Sequence, residues 1–127
     1  MKVNIYTSYF GNLRKLPKDI VPISICGKAP DWYKGLQYKK LAPKYGFFQK
    51  WKEIRDNDYY TECFDKEVLQ LLNPHEVVKE LFDLAKTQQG ENIMGICLIC
   101  YEKPEDFCHR HLSADWLNKN GYNVTEY

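Results

Sequence analysis

The sequence predicts an α/β fold: a single compact three-layer domain over residues 1–127, built on a mainly parallel sheet flanked by helices. Three observations carry this. Ile93 to Tyr101 is a nearly continuous apolar run rather than an alternating one. A strand reads that way when both its faces are buried, the usual condition in parallel sheets. Helical periodicity lies before this run, in Val77, Val78, Leu81, Leu84 and Ala85, and again after it. Ile20 to Cys26 is apolar and β-branched, so a second strand precedes the helices and the order is that of a layered α/β domain. A chain of 127 residues is the size of one domain and buries roughly two-thirds of its unfolded surface, enough to fold without metal or disulfide.

The elements follow in order. Val3 and Ile5 mark a strand over residues 2–7, with a loop from Ser8 to Asn12 hinged at Gly11. Leu13 and Leu16 form a short helical turn that Pro17 stops. Ile20 to Cys26 is the second strand, and Pro22, which lacks an N–H, places its start near an edge or a strand end. Residues 31–60 carry little pattern. Pro43 opens a helix to about Arg55, with Phe47, Phe48, Trp51 and Ile54 on one apolar face that reads as core. Asp65 reads as an N-cap ahead of Val68, Leu69 and Leu72. Asn73-Pro74-His75-Glu76 is a sharper start: Asn73 caps, Pro74 takes the first helical position and Glu76 suits a capping box. Gly90 ends that helix. The strand at 93–101 follows, then a last helix from about Pro104 to Asn118, a Gly121 cap and an edge strand within Tyr122–Tyr127.

Composition narrows the function classes. The net charge of +1 argues against strong nonspecific binding of duplex DNA, which needs a basic face. Lys34, Lys39, Lys40, Lys44, Lys50 and Lys52 nevertheless bias the middle of the chain, and Tyr38, Tyr45, Tyr59 and Tyr60 are interleaved with them. Rings among cations stack bases and neutralise phosphates; tyrosine equally faces core and water in a small domain. No segment reaches the roughly 18–20 apolar residues of a membrane span, so no membrane partner is expected. The first residues lack the apolar core of a signal peptide, and five cysteines are an odd number. Both point to a reducing cytoplasm and free thiols.

Chemistry concentrates after the apolar strand. Glu102 and Lys103 directly follow it, and Cys108-His109-Arg110 opens the helix beyond. Open α/β sheets bind ligands outside the carboxyl ends of their strands, and helix N-termini favour anions. Consecutive residues on a helix spread over about 200°. Cys108, His109 and Arg110 therefore share one ligand only if residues 105–107 are still loop and the three occupy the first turn. There Cys108 is favoured as a thiolate, His109 carries a proton and Arg110 grips a carboxylate or phosphate. The catalytic candidates are Cys108, His109 and Glu102. The ligand-binding candidates are Arg110, Lys103 and Cys100, with Tyr6, Ser8 and Tyr9 if their strand neighbours the apolar one in parallel. The structural alternative stays open: Cys108 packs in the core, Arg110 pairs with Glu102 or Asp106, and His109 lies at the surface.

Other motifs are negative. Cys97 and Cys100 spell CxxC, but in a strand residues three apart point to opposite faces. Cys108, His109 and His111 lack a second cluster to complete a metal site, so no metal or cofactor is expected. Neither GxxxxGK[ST] nor GxGxxG occurs, and Arg110, ten residues after Cys100, does not fit a phosphatase-type loop.

The segment Cys100-Tyr101-Glu102-Lys103, a short acidic loop, Cys108-His109-Arg110 and the helix to Leu117 resemble the hallmark of the DUF488 family, a domain of unknown function. Ile5 to Gly11, Pro22 to Ile25 and Pro30 to Tyr33 are similar to that family's N-terminal portion. The resemblance implies an α/β fold and an intracellular protein of bacterial or phage type, and supplies no activity. Two functions remain in view. One is a small enzyme or ligand-binding domain with an anion site, for a nucleotide or a nucleic-acid end, around Cys-His-Arg. The other is a noncatalytic module that binds nucleic acid or protein through the Lys/Tyr-rich region 32–60.

Overall fold

The computed structural model describes residues 4–90 and 92–127; Lys2 and Val3, assigned above to the first strand, lie outside them. Five parallel strands form one sheet: β1 (Asn4–Tyr9), β2 (Ile20–Ser24), β3 (Leu36–Gln37), β4 (Gly95–Cys100) and β5 (Val124–Glu126), in the order β3-β2-β4-β1-β5. Strand β4 is central and buried at every position. This explains its unbroken apolar run: both neighbours pair with it, and both faces are covered. Gly95 meets Asn4 across the sheet; a Cβ there would run into the Asn4 carbonyl, so glycine allows β1 to start its pairing at this point.

Of the four α-helices among the described residues, the first, third and fourth follow the sequence signals with shifts at their ends, and the second does not. They are α1 (Tyr45–Ile54), α2 (Asn57–Glu67), α3 (Pro74–Gln89) and α4 (His109–Lys119). Asn73 Oδ1 accepts from the N–H groups of His75 and Glu76, with Pro74 in the first turn. Asp65 does not start a helix. It lies inside α2, whose N-cap is Asp56, accepting from Asp58 and Tyr59; Leu69–Leu71 follow as a 3-10 turn. The loop assigned to Ser8–Asn12 is strand as far as Tyr9, then a 3-10 turn over Phe10–Lys15. Pro22 sits where β2 is paired on one side only, because β3 begins opposite Ile23. Gly121, at φ 96°, turns the chain after α4 into β5.

The two faces of the sheet are covered unequally. Ile5, Val21, Ile23, Ile96 and Leu98 share one core with Phe47, Phe64, Val77, Leu81 and Leu117, so all four α-helices pack on that face. The opposite face, with Ile20, Cys97 and Ile99, is covered by Phe10, Leu13, Leu16 and Tyr33. The third layer is thus a 3-10 turn and a loop. Among the described residues no helix is long and apolar enough to cross a membrane.

The last helix corrects the sequence boundary. It starts at His109, not Pro104, with Cys108 as its N-cap in extended conformation. Residues 101–107 are loop, so Cys108, His109 and Arg110 do occupy the helix start. The tyrosines of region 32–60 mostly turn inward. Tyr33, Tyr38 and Tyr60 are buried, and Tyr38 and Lys40 both bond Glu80.

Candidate functional site

A cavity of about 620 Å³ opens at the carboxyl ends of β2 and β4. Cys26, Gly27 and Lys28 enter it from β2, and Cys100, Tyr101 and Glu102 from β4. Its far wall is aromatic: Tyr45, Phe48 and Trp51 of α1, Tyr60 of α2 and Phe107 of the loop before α4. The rings of Trp51, Tyr60 and Phe107 pack on one another, centroids 5.1–5.9 Å apart. Lys28 and Lys52 add positive charge.

Cys100, Cys108 and His109 meet in this cavity, each almost fully buried. His109 Nε2 lies 2.8 Å from the Ile25 carbonyl oxygen. A carbonyl only accepts, so Nε2 carries a hydrogen, and Nδ1 is the nitrogen left to exchange a proton with the cysteines. Nδ1 lies 3.7 Å from Cys100 Sγ and 3.9 Å from Cys108 Sγ, and Cys100 Sγ is also 3.9 Å from Nε2. The Phe64 ring packs against the imidazole at 5.6 Å and holds its plane.

This arrangement separates the two thiols electrostatically. The neighbouring Cys100 thiol holds Cys108 well below the ordinary thiol range, with His109 and the Arg110 backbone N–H adding to it against the opposing effect of burial. The proximity of Cys108, then burial, pushes Cys100 up. Helix N-termini favour a thiolate by the same logic. Burial, followed by the two cysteine charges, keeps the Tyr60 phenol protonated far above its usual range, so its hydroxyl remains a donor. Cys97 points to the other face and is pushed up to about 12 by burial. The CxxC sulfurs therefore do not form a pair.

The remaining sequence candidates divide. Glu102 lines the cavity; Lys103 and Arg110 do not. Arg110 is fully buried, and Glu126 holds it with two bonds, Nε–Oε1 at 3.2 Å and Nη2–Oε2 at 2.8 Å. Its Nη1 donates to the Glu102 carbonyl at 2.5 Å, and Thr7 Oγ1 donates to Glu126 at 2.6 Å. The guanidinium is thus spent on joining β1, β5 and the loop after β4 instead of facing the cavity. Strands β1 and β4 are parallel neighbours, as the reading of Tyr6, Ser8 and Tyr9 required. Yet none of the three lines the cavity. Tyr6 packs edge-on against Tyr127, Ser8 accepts from Asn12, and Tyr9 lies beside the Arg110 guanidinium.

Several site residues escaped the sequence reading. Phe48 and Trp51 were assigned to core by their spacing, which marks a helix face without saying whether protein or cavity lies opposite it. Tyr45 and Tyr60 entered the sequence reading only among the rings interleaved with lysines, and Cys26 had no local signal. The metal-capable set also differs: one donor atom each from Cys100, Cys108 and His109 lies within 4.8 Å of the others, and His111 is absent from the cavity.

No curated protein and no solved structure matches this chain. A family model described as "Active DUF488-N3 subclade", DUF488-N3a, matches residues 9–121, which run from the end of β1 through α4 and include the cavity lining and the Cys-His-Arg segment. With most of its length matched by that model, the chain belongs to the DUF488 family.

Proposed function

We propose that this DUF488 domain is a small enzyme that uses Cys108 as a nucleophile on an anionic substrate with a planar ring, a nucleotide or a nucleic-acid end. The observation that carries the reading is the His109 imidazole, fixed through Nε2 with Nδ1 aimed at the cysteine sulfurs. A nucleophile within reach of a base that is itself oriented by a third group is the general pattern of activated nucleophiles. Cys108 reacts as the thiolate, the proton it has given up resting on His109 Nδ1, and its sulfur bonds the electrophilic atom of the substrate as that atom's bond to the leaving group breaks. The leaving group takes the proton from Nδ1. Water then adds to the same atom, one of its protons returns to Nδ1, and the bond to sulfur breaks, freeing the product and the Cys108 thiolate.

The aromatic wall supports stacking of a base. Lys28 and Lys52 take over the charge role that the sequence assigned to Arg110 and Lys103, and Glu102 is available for acid–base work. The description of the matched subclade as active agrees with a chemical role. Five free cysteines suit a reducing cytoplasm.

The test is turnover by the metal-free chain of mono-, di- and trinucleotides and 5′-phosphorylated oligonucleotides, resolved by chromatography. Products should form with the native chain and disappear with Cys108→Ala, whose circular dichroism stays native. Binding that survives Cys108→Ala but is lost on charge reversal of Lys39, Lys40 and Lys44 would instead support a noncatalytic interaction module.

A further inference from the structure

We propose that Cys100, Cys108 and His109 bind a thiophilic divalent ion, Zn²⁺, with the fourth coordination position open to the cavity. Zinc bonds thiolate sulfur at about 2.3 Å and imidazole nitrogen at about 2.0–2.1 Å in a tetrahedron. These lengths set a sulfur and a nitrogen ligand about 3.6 Å apart. His109 Nδ1 stands 3.7 Å from Cys100 Sγ and 3.9 Å from Cys108 Sγ. Cys100 Sγ also lies 3.9 Å from Nε2, and the three donor atoms fall within 4.8 Å of one another, so the cysteine side chains turn toward Nδ1 to share one ion.

The surroundings fit the same ligation. Metal-binding histidines commonly donate their other ring N–H to a carbonyl or carboxylate, which fixes the tautomer and the ring. Here His109 Nε2 donates to Ile25, leaving Nδ1 as the ligand atom. Two sulfurs and one imidazole form a soft set that selects zinc over magnesium or calcium. Two of the ligands come from the ends of rigid elements: Cys100 closes β4 and His109 opens α4. Cys108 is the N-cap between loop and helix. Three protein ligands with a position open to a cavity match a reactive zinc site rather than a closed structural one.

This inference stands on the three ligand atoms and does not depend on the proposed reaction. A bound ion and a free Cys108 nucleophile are alternatives at one place. Ligation requires both cysteines as thiolates, so the loaded site has no thiol left to alkylate.

The experiment uses the whole chain, stripped of metal by a chelator under reducing conditions. It is titrated with Zn²⁺ alone against a chromophoric chelator, and separately with Co²⁺ alone. One ion per chain is expected. Co²⁺ should show thiolate charge-transfer and tetrahedral ligand-field bands. Zn²⁺ should protect Cys100 and Cys108 from iodoacetamide and leave Cys63 unchanged. Cys100→Ser and His109→Ala should abolish the bands; Cys63→Ser should retain them. No saturable binding by the native chain, Co²⁺ spectra without thiolate bands, or Cys108 alkylation indifferent to Zn²⁺ each overturns the proposal. These readouts come from the native chain, so a variant that fails to fold leaves the test intact. Fast Cys108 alkylation in metal-free protein with no metal binding would sink the zinc site and spare the nucleophile. An inert Cys108 with a full Co²⁺ spectrum would do the reverse.

Discussion

His109 Nε2 donates to the Ile25 carbonyl oxygen, 2.8 Å away, and so links the start of α4 to the chain leaving β2. The bond fixes one nitrogen and leaves Nδ1 facing the two cysteines. Removing the ring should therefore weaken Cys108 without disturbing the sheet. His109→Ala is expected to slow alkylation of Cys108 in metal-free protein by about tenfold at neutral pH. Turnover should fall by about 100-fold or more, within the range for loss of a positioned acid–base group. Mass mapping of iodoacetamide adducts checks the first, and the chromatographic assay the second.

The pH dependence of labelling follows from the direction of the Cys108 shift. An acid held below its ordinary range stays ionised as pH falls until its own lowered pKa is passed. A free thiol near 8.5 loses roughly a hundredfold of its thiolate between pH 8 and pH 6. Cys108 should lose far less over that interval and label first. Cys97, pushed up to about 12 on the covered face of the sheet, should stay unlabelled until the protein unfolds. Equal labelling of Cys108 and Cys97 in the native chain would contradict the electrostatics described here.

Arg110 and Glu126 should behave as a structural pair. Glu126→Gln leaves a fully buried guanidinium without its counter-charge, a change that costs about 3–5 kcal/mol in buried pairs. Glu126 keeps a side-chain exposure of 26 %, so the lower end is expected. Urea unfolding measures it. Nucleotide affinity of the folded fraction should stay unchanged, because neither side chain reaches the cavity. An affinity loss with native stability would return Arg110 to the role of anion clamp.

Trp51 should report on the cavity. Its indole N–H donates to Asn57, the Arg55 guanidinium lies 4.7 Å over its ring, and the ring forms part of the wall. A base stacked there should quench its fluorescence. Trp51→Phe should abolish the quenching while Trp32 and Trp116 remain as unaffected emitters. Trp51→Ala should weaken nucleotide binding by about 1–3 kcal/mol, the usual contribution of a stacking ring.

The site was legible only where it is local in sequence. Cys108, His109 and Glu102 sit within one short segment after an obvious strand, and that segment does reach the cavity. Arg110 belongs to the same run of letters but turns into the protein, because Glu126 lies on the next strand over and draws it there. That acid is near the chain's end with no local sign of its role. Asp65 misled for a related reason: an acidic residue before leucines suits an N-cap, yet Asp56 had already started a helix that runs through it.

By itself the sequence determined the α/β class, the buried central strand, the Asn73 cap and the stretch from Cys100 to His109 that reaches the cavity. These depend on periodicity, capping and turn residues, which act over a few neighbours along the chain. Only the tertiary structure decided that Cys100 and His109 share a cavity, that Trp51 and Tyr60 wall it, and that Arg110 is spent on Glu126. Those outcomes depend on which strands lie side by side and on which side of a helix faces a gap. Packing between distant segments sets both, and no local pattern records it.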